Sequence, residues 1–154
     1  MRVSEIMTKA AVMDQSDDTL ASAAKKMWEQ QTGSLLVMDG DDLVGILTER
    51  DVLKAVAHGV RPEDVRVSEV MTKDLVTVGP GTSFREAAKI MADRWIRHLP
   101  VLDDGKLVGV LSQRDLAGVL AGALNEPDSL QRLVEASELV RERRLKRIEH
   151  GVWD

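Results

Sequence analysis

The 154-residue chain contains no cysteine and no tyrosine, one phenylalanine, four prolines and three histidines. Without cysteine there are no disulfides, no thiolate zinc sites and no cysteine nucleophiles. The histidines, His58, His98 and His150, are too scattered in sequence to suggest a metal cluster, so no metal is expected. Aromatic residues make up 3% and the formal net charge is −5. The chain thus lacks both the basic footprint and the stacking surface of a nucleic-acid binder, and nucleic acid is not the expected partner. No window approaches the roughly 18 consecutive apolar residues of a bilayer span, and the opening MRVSEIMTKA lacks the apolar run of a signal peptide. A cytoplasmic protein without membrane contact is the expectation. No Ser-His-Asp ordering, metal-ligand spacing or Walker-type loop occurs, so neither catalytic residues nor an enzyme activity is expected.

What is present is an ordinary globular composition, 44% hydrophobic and 31% charged. A chain of this length buries roughly 68–70% of its unfolded surface, enough for a true core. Within it, RVSEIMTK at Arg2–Lys9 returns as RVSEVMTK at Arg66–Lys73, an offset of 64 residues that holds without a gap through Asp51 and Asp115, with 21 of 50 positions identical. Two copies of one unit, each near the size at which a lone core is marginal, imply half-domains packed about a pseudo-twofold axis. The expected division is 1–64, 65–124 and a tail over 125–154.

Periodicity outlines each unit. Leu20, Ala23, Ala24, Met27 and Trp28 form the apolar stripe of a helix, and Phe84, Ala87, Ala88, Met91 and Trp95 form its counterpart. Ser83 and Glu86 have the spacing of a capping box. The apolar runs Leu35–Met38 and Leu43–Leu47, and likewise Leu99–Leu102 and Leu107–Leu111, flank turn residues and read as hairpins. A second helix starts near Thr48 or Ser112, and Gly59 is placed to end the first of them. A short strand over Ala11–Met13 or Leu75–Val78 precedes each first helix. The fold class expected is α+β: strand, helix, hairpin, helix, twice.

Each hairpin enters its second helix through a shared pattern, Gly45-Ile-Leu-Thr-Glu-Arg-Asp51 and Gly109-Val-Leu-Ser-Gln-Arg-Asp115. Thr48 or Ser112 with Asp51 or Asp115 has the spacing of a helix cap, which stabilises by about 0.5–2 kcal/mol. The same geometry suits a nucleotide. A helix start attracts phosphate, a hydroxyl adds a hydrogen bond, a carboxylate accepts from the paired hydroxyls of a ribose, and Gly45 and Gly109 allow close approach.

With these motifs in order and duplicated, the chain from Arg2 to Gly122 resembles the paired cystathionine-β-synthase (CBS) domains, or Bateman module. The resemblance rests on Met7-Thr8 and Met71-Thr72, the apolar helices, the His98-Leu-Pro-Val101 strand and both glycine-to-aspartate motifs. It implies two clefts between the repeats that receive adenine nucleotides such as AMP, ADP or ATP, with NAD or S-adenosylmethionine within range. Thr48 and Ser112 would meet phosphate and Asp51 and Asp115 the ribose. Ala11, Val12 and Met13, and Leu75, Val76 and Thr77, would line the adenine pockets, with Ile46 and Val110 against the base. It also implies that each motif works with the early strand of the other repeat, and that two modules pair as a homodimer. No cofactor is required.

Arg97 and His98 resemble the basic pair that faces phosphate in nucleotide-binding members, whereas the matching residues of the first unit are Gly33 and Ser34. The clefts are therefore electrostatically unequal, and one good site is expected rather than two. Ser129–His150 has amphipathic helical spacing with a basic run at Arg141–Arg147. Two functions fit: a ligand-sensing regulatory module acting on its own oligomer or on an unknown protein partner, or an interaction module that keeps the fold without a ligand.

Overall fold

The structure, a computed structural model, describes residues 1–9 and 11–123 together with Ser137, Glu138, Arg141, Glu142, Leu145 and Lys146. Apart from those six, which are helical and exposed, the expected tail helix lies outside the described residues.

In the first repeat a one-turn helix α1 (Val3–Ile6) precedes strand β1 (Met13–Gln15), helix α2 (Leu20–Glu29), the hairpin β2 (Ser34–Asp39) and β3 (Asp42–Thr48), and helix α3 (Glu49–Ala57). The second repeat runs α4 (Val67–Val70), α5 (Phe84–Arg94), β4 (His98–Asp103), β5 (Lys106–Ser112) and α6 (Gln113–Ala123). β1 lies parallel to β2, which pairs antiparallel with β3; β4 pairs antiparallel with β5, and both hairpins carry an irregularity after Val37 or Val101. Where β1 has a counterpart in the second repeat, the structure shows a single parallel bridge, Val78 to Val101, because Gly79 and Pro80 follow at once.

Local sequence accounts for the helix limits. Thr19 and Ser83 cap α2 and α5 by accepting from the Ser22 and Glu86 N–H groups at 3.1 and 3.2 Å. At α5 this single bond from Glu86 is the cap, without the reciprocal half of a box. Gly59, at φ +74°, follows α3 in the left-handed region that glycine adopts without cost. The apolar stripe of α2 buries Leu20, Ala23 and Met27, but Trp28 is 84% exposed, one position beyond the face that meets the sheet. Trp95, unlike Trp28, is not helical: it ends α5 at φ +56°, as Gln31 at φ +51° follows α2.

The core forms in two clusters, and neither follows the repeat boundary. Leu20, Leu35, Val37 and Leu47 of the first repeat enclose Val67 from the second; Ala87, Met91, Leu99, Val101 and Leu111 of the second enclose Val3 from the first. Both valines are fully buried. The opening helix of each repeat is thus exchanged into the other half.

Candidate functional site

The exchange is fixed by backbone pairing. Val3 donates to the Thr82 carbonyl at 2.8 Å and Val67 to the Asp18 carbonyl at 2.8 Å. Five residues later, Thr8 and Val110 trade N–H···O bonds of 2.9 and 3.0 Å, and Thr72 and Ile46 do the same at 2.9 and 3.0 Å. Each incoming Met-Thr pair crosses a glycine. A Cβ on Gly109 would lie 2.8 Å from both the Met7 sulfur and the Thr8 carbonyl oxygen, and one on Gly45 would collide with the Met71 sulfur and stand 3.1 Å from the Thr72 carbonyl oxygen. The close approach that requires glycine at these two buried positions is made by the exchanged segment.

β3 and β5 deliver the motif to the start of α3 and α6. Thr48 is the N-cap of α3, and its hydroxyl accepts from the Asp51 N–H at 3.4 Å; Asp51 Oδ2 accepts from the Thr48 N–H at 2.8 Å and from its hydroxyl at 3.0 Å. Ser112 and Asp115 repeat these three bonds, in the same order, at 3.3, 2.7 and 2.7 Å. The first amides of the two helices are also engaged, Glu49 N–H with the Gly33 carbonyl at 3.1 Å and Gln113 N–H with the Arg97 carbonyl at 2.8 Å. In both motifs Oδ2 serves the cap, and Oδ1 takes no part in it. Asp51 Oδ1 accepts from the Thr72 hydroxyl at 3.3 Å.

A cavity of about 1150 Å³ opens between the repeats. Ala11 and Val12 line it from the first repeat, and Arg97, His98, Val110, Ser112 and Asp115 from the second. It continues past the repeat junction to Gly33, Ser34, Glu49 and Arg50. Small-molecule sites commonly enclose about 300–1,000 Å³, so the cavity is large enough for one. Met13 begins β1 and is 47% exposed, while Gly109 is buried beneath Met7; neither lines the cavity. The other motif, with Gly45, Ile46, Thr48 and Asp51, lies outside the cavity lining and is joined to the second repeat through Thr72; Leu75, Val76 and Thr77 follow on the same stretch, with Val76 packed on the second-repeat core.

This crossed duplication is the arrangement of a known family. The CBS domain family matches residues 3–58 and again 67–122. The chain belongs to the CBS domain family. It is 42% identical, over 77% of its length and 73% of the relative's, to a 17.7 kDa protein of Acidianus ambivalens. Among solved structures, a protein with CBS domains from Burkholderia ambifaria matches with a TM-score of 0.78 at 35% identity, over 82% of this chain and 98% of that one. The CBS domain pair of protein MJ0100, in complex with 5′-methylthioadenosine and S-adenosyl-L-methionine, matches with a TM-score of 0.74 at 26% identity, over 80% and 98%. The chain is thus a mixed α+β pair of CBS repeats. No helix among the described residues is long and apolar enough to cross a membrane.

The electrostatics of the CBS pair are one-sided. His98 starts β4 opposite Ser112. Burial pushes its imidazole below the ordinary value of 6.5 and the charge of Arg97 adds to this, while Glu49 and Asp115 pull the other way. Arg97 donates to Glu49 Oε2 at 3.2 Å across the repeats. Arg50 and Arg114 line the cavity at the second position of α3 and α6.

Sequence reasoning did not place Thr8 or Glu49 in the cleft, nor Thr72 against Asp51. Thr8 and Thr72 recur at the 64-residue offset, a signal that could have marked them. Glu49 is matched by Gln113 and carries no such signal.

Proposed function

We propose that this CBS pair is a regulatory binding module, not an enzyme, and that it takes an adenine nucleotide or another adenosyl ligand in the cleft of Ser112 and Asp115. The observation that carries this reading is the cavity that unites Ala11 and Val12 with Val110, Ser112, Asp115, Arg97 and His98. In this reading the base lies between the Ala11–Val12 backbone and Val110. Asp115 Oδ1 receives the ribose hydroxyls, and the phosphate meets the Ser112 hydroxyl, Arg97 and His98 at the start of α6. The Thr48, Asp51, Ile46, Leu75, Val76 and Thr77 set forms the second cleft. Gly45 and Gly109 act at one remove, by admitting Met71 and Met7. The structure of MJ0100 with two adenosyl ligands supports the ligand class.

Binding alters a partner or the oligomer only if the ligand prefers one geometry of the repeats over another. Trp28, Leu53 and Val56 are exposed on α2 and α3, and a second copy of the chain covering them would supply that oligomer. Thermal unfolding with AMP, ADP, ATP, NAD and S-adenosylmethionine tests the reading. A ligand at 100 times its dissociation constant adds about 2.7 kcal/mol. No shift with any of the five overturns it in favour of an interaction module without a ligand, and a shift that survives Asp51→Ala with Asp115→Ala overturns the residue assignment.

A further inference from the structure

Among the described residues two carboxylates line the cavity, and only Asp115 has a place in the nucleotide reading. The other, Glu49, is the first residue of α3 and reaches in from the opposite repeat. Its Oε2 accepts from Arg97 at 3.2 Å. Its carboxyl carbon and Oε1 lie 3.3 Å from the place where a Cβ on Gly33 would stand, so the group rests against bare backbone, and its own N–H is held by the Gly33 carbonyl. The backbone bond recurs on the other side of the pseudo-twofold axis as Gln113 N–H to the Arg97 carbonyl, but the side chains do not: at the 64-residue offset Glu49 becomes Gln113 and Gly33 becomes Arg97.

The consequence for a ligand follows from charge. Both partners are more than half exposed, 52% for Arg97 and 60% for Glu49, so the pair contributes little and separates easily. One phosphate can take over Arg97 as a bidentate, doubly charged acceptor. The displaced carboxylate stays close, because the Glu49 backbone is pinned to Gly33. Each further phosphate then brings negative charge toward Glu49, with Arg50 and Arg114 as the remaining arginines lining the cavity.

We propose that Glu49 is a specificity-determining residue that limits the negative charge the cleft accepts, so that a nucleoside monophosphate binds in preference to a triphosphate. This rests on the adenosyl-ligand reading of the same cleft.

The test is calorimetry of the full chain with AMP, ADP and ATP, at low salt and without divalent cations, for the wild type, Glu49→Gln and Glu49→Asp. In the wild type the dissociation constant rises from AMP to ATP. In Glu49→Gln the ATP-to-AMP ratio of dissociation constants falls by about fivefold or more, the effect of one removed unit charge about 4 Å away in water. Glu49→Asp, which keeps the charge, retains the wild-type order. A wild type that prefers ATP, an unchanged ratio in Glu49→Gln, or an equal loss for all three nucleotides overturns the charge limit while leaving the adenosyl reading intact. A wild type that binds none of them overturns the charge limit, and if NAD and S-adenosylmethionine do not bind either, the adenosyl reading falls with it.

Discussion

The backbones of Thr8 and Val110 exchange a reciprocal pair of hydrogen bonds, and through that pair the opening segment of one repeat is seated on the last strand of the other. Thr72 and Ile46 repeat the arrangement. The pairing also places Ala11 and Val12, a few residues further along, beside Ser112 and Asp115. The cleft is therefore a product of the exchange, and its parts can be perturbed separately.

The two glycines under the exchanged methionines should respond differently to alanine. At Gly109 the obstacle includes the Thr8 backbone oxygen at 2.8 Å, which cannot step aside; at Gly45 the worst clash is with the flexible Met71 side chain and the backbone oxygen stands at 3.1 Å. Overpacking costs about 1–3 kcal/mol, so Gly109→Ala should fall at the upper end and Gly45→Ala at the lower. Adding Met71→Ala should recover part of the Gly45→Ala loss, whereas Met7→Ala should recover little at Gly109. Denaturant midpoints of the singles and doubles give the comparison; equal coupling at both sites would contradict the steric account.

Val3 and Val67 anchor the exchange from inside the opposite core. Truncating either to alanine removes two buried methyl groups and should cost about 2 kcal/mol. Because each valine reports on the half it enters, hydrogen exchange in Val3→Ala should rise mainly in β4 and β5, and in Val67→Ala mainly in β2 and β3. A rise confined to the mutated residue's own repeat would refute the exchange.

Asp51 and Asp115 cap their helices with the same geometry, so Asp51→Ala and Asp115→Ala should each lose about 1 kcal/mol of stability. Ligand response should separate them. The shift caused by an adenine nucleotide should vanish in Asp115→Ala and persist in Asp51→Ala, because Asp115 and not Asp51 lines the cavity. Thermal unfolding with and without nucleotide reads both effects in one experiment.

His98 makes stability depend on pH. Its imidazole is held below 6.5 by burial and by Arg97 in the folded chain, whereas the unfolded chain titrates near the ordinary value. Between the two values the unfolded state binds more protons, so this contribution is complete above pH 6.5 and is lost as the pH falls toward the folded value. Denaturation from about pH 5 to 8 should show a slope that His98→Asn flattens. An unchanged slope in His98→Asn would assign it to other groups.

Asp14 should give effects of opposite sign from its two sides. Its side chain is 3% exposed and bound by Lys26 at 3.0 Å, its Oδ2 has no hydrogen-bond partner, and burial, with Asp18 nearby, pushes its carboxyl above the ordinary range. The matching residue of the second repeat is Val78, a member of the core. Lys26→Met leaves the buried carboxylate unpaired and should destabilise by about 2 kcal/mol, while Asp14→Val leaves a lysine that can turn to solvent and should be neutral or stabilising. Urea midpoints of the two variants decide it.

Much of this was legible in the residues. The 64-residue repeat, both hairpins and the caps at Thr48 and Ser112 follow from local patterns, since turn chemistry and capping act over three or four residues. The inequality of the clefts follows from Arg97-His98 standing where the first repeat has Gly33-Ser34. Some local readings needed correction for a local reason. A helical stripe does not reveal how far a helix rotates onto its sheet, so Trp28, read as part of the apolar stripe, is exposed, and Trp95 falls past the helix end.

The family resemblance implied that each motif meets the early strand of the other repeat; what only the tertiary structure decided is that the opening helices cross as well. Val3 fits its own repeat and the other equally well by sequence, because the two hosts are near-copies; chain connectivity and packing place it in the second core. The purpose of Gly45 and Gly109 changed accordingly, from room for a ligand to room for Met71 and Met7. Glu49 is an exposed first-turn acid in one dimension and a cavity carboxylate on Arg97 in three. Sequence determines the unit and its caps because those interactions are short-range; the cleft joins residues of different copies, and that juxtaposition exists only once the copies have exchanged their opening segments.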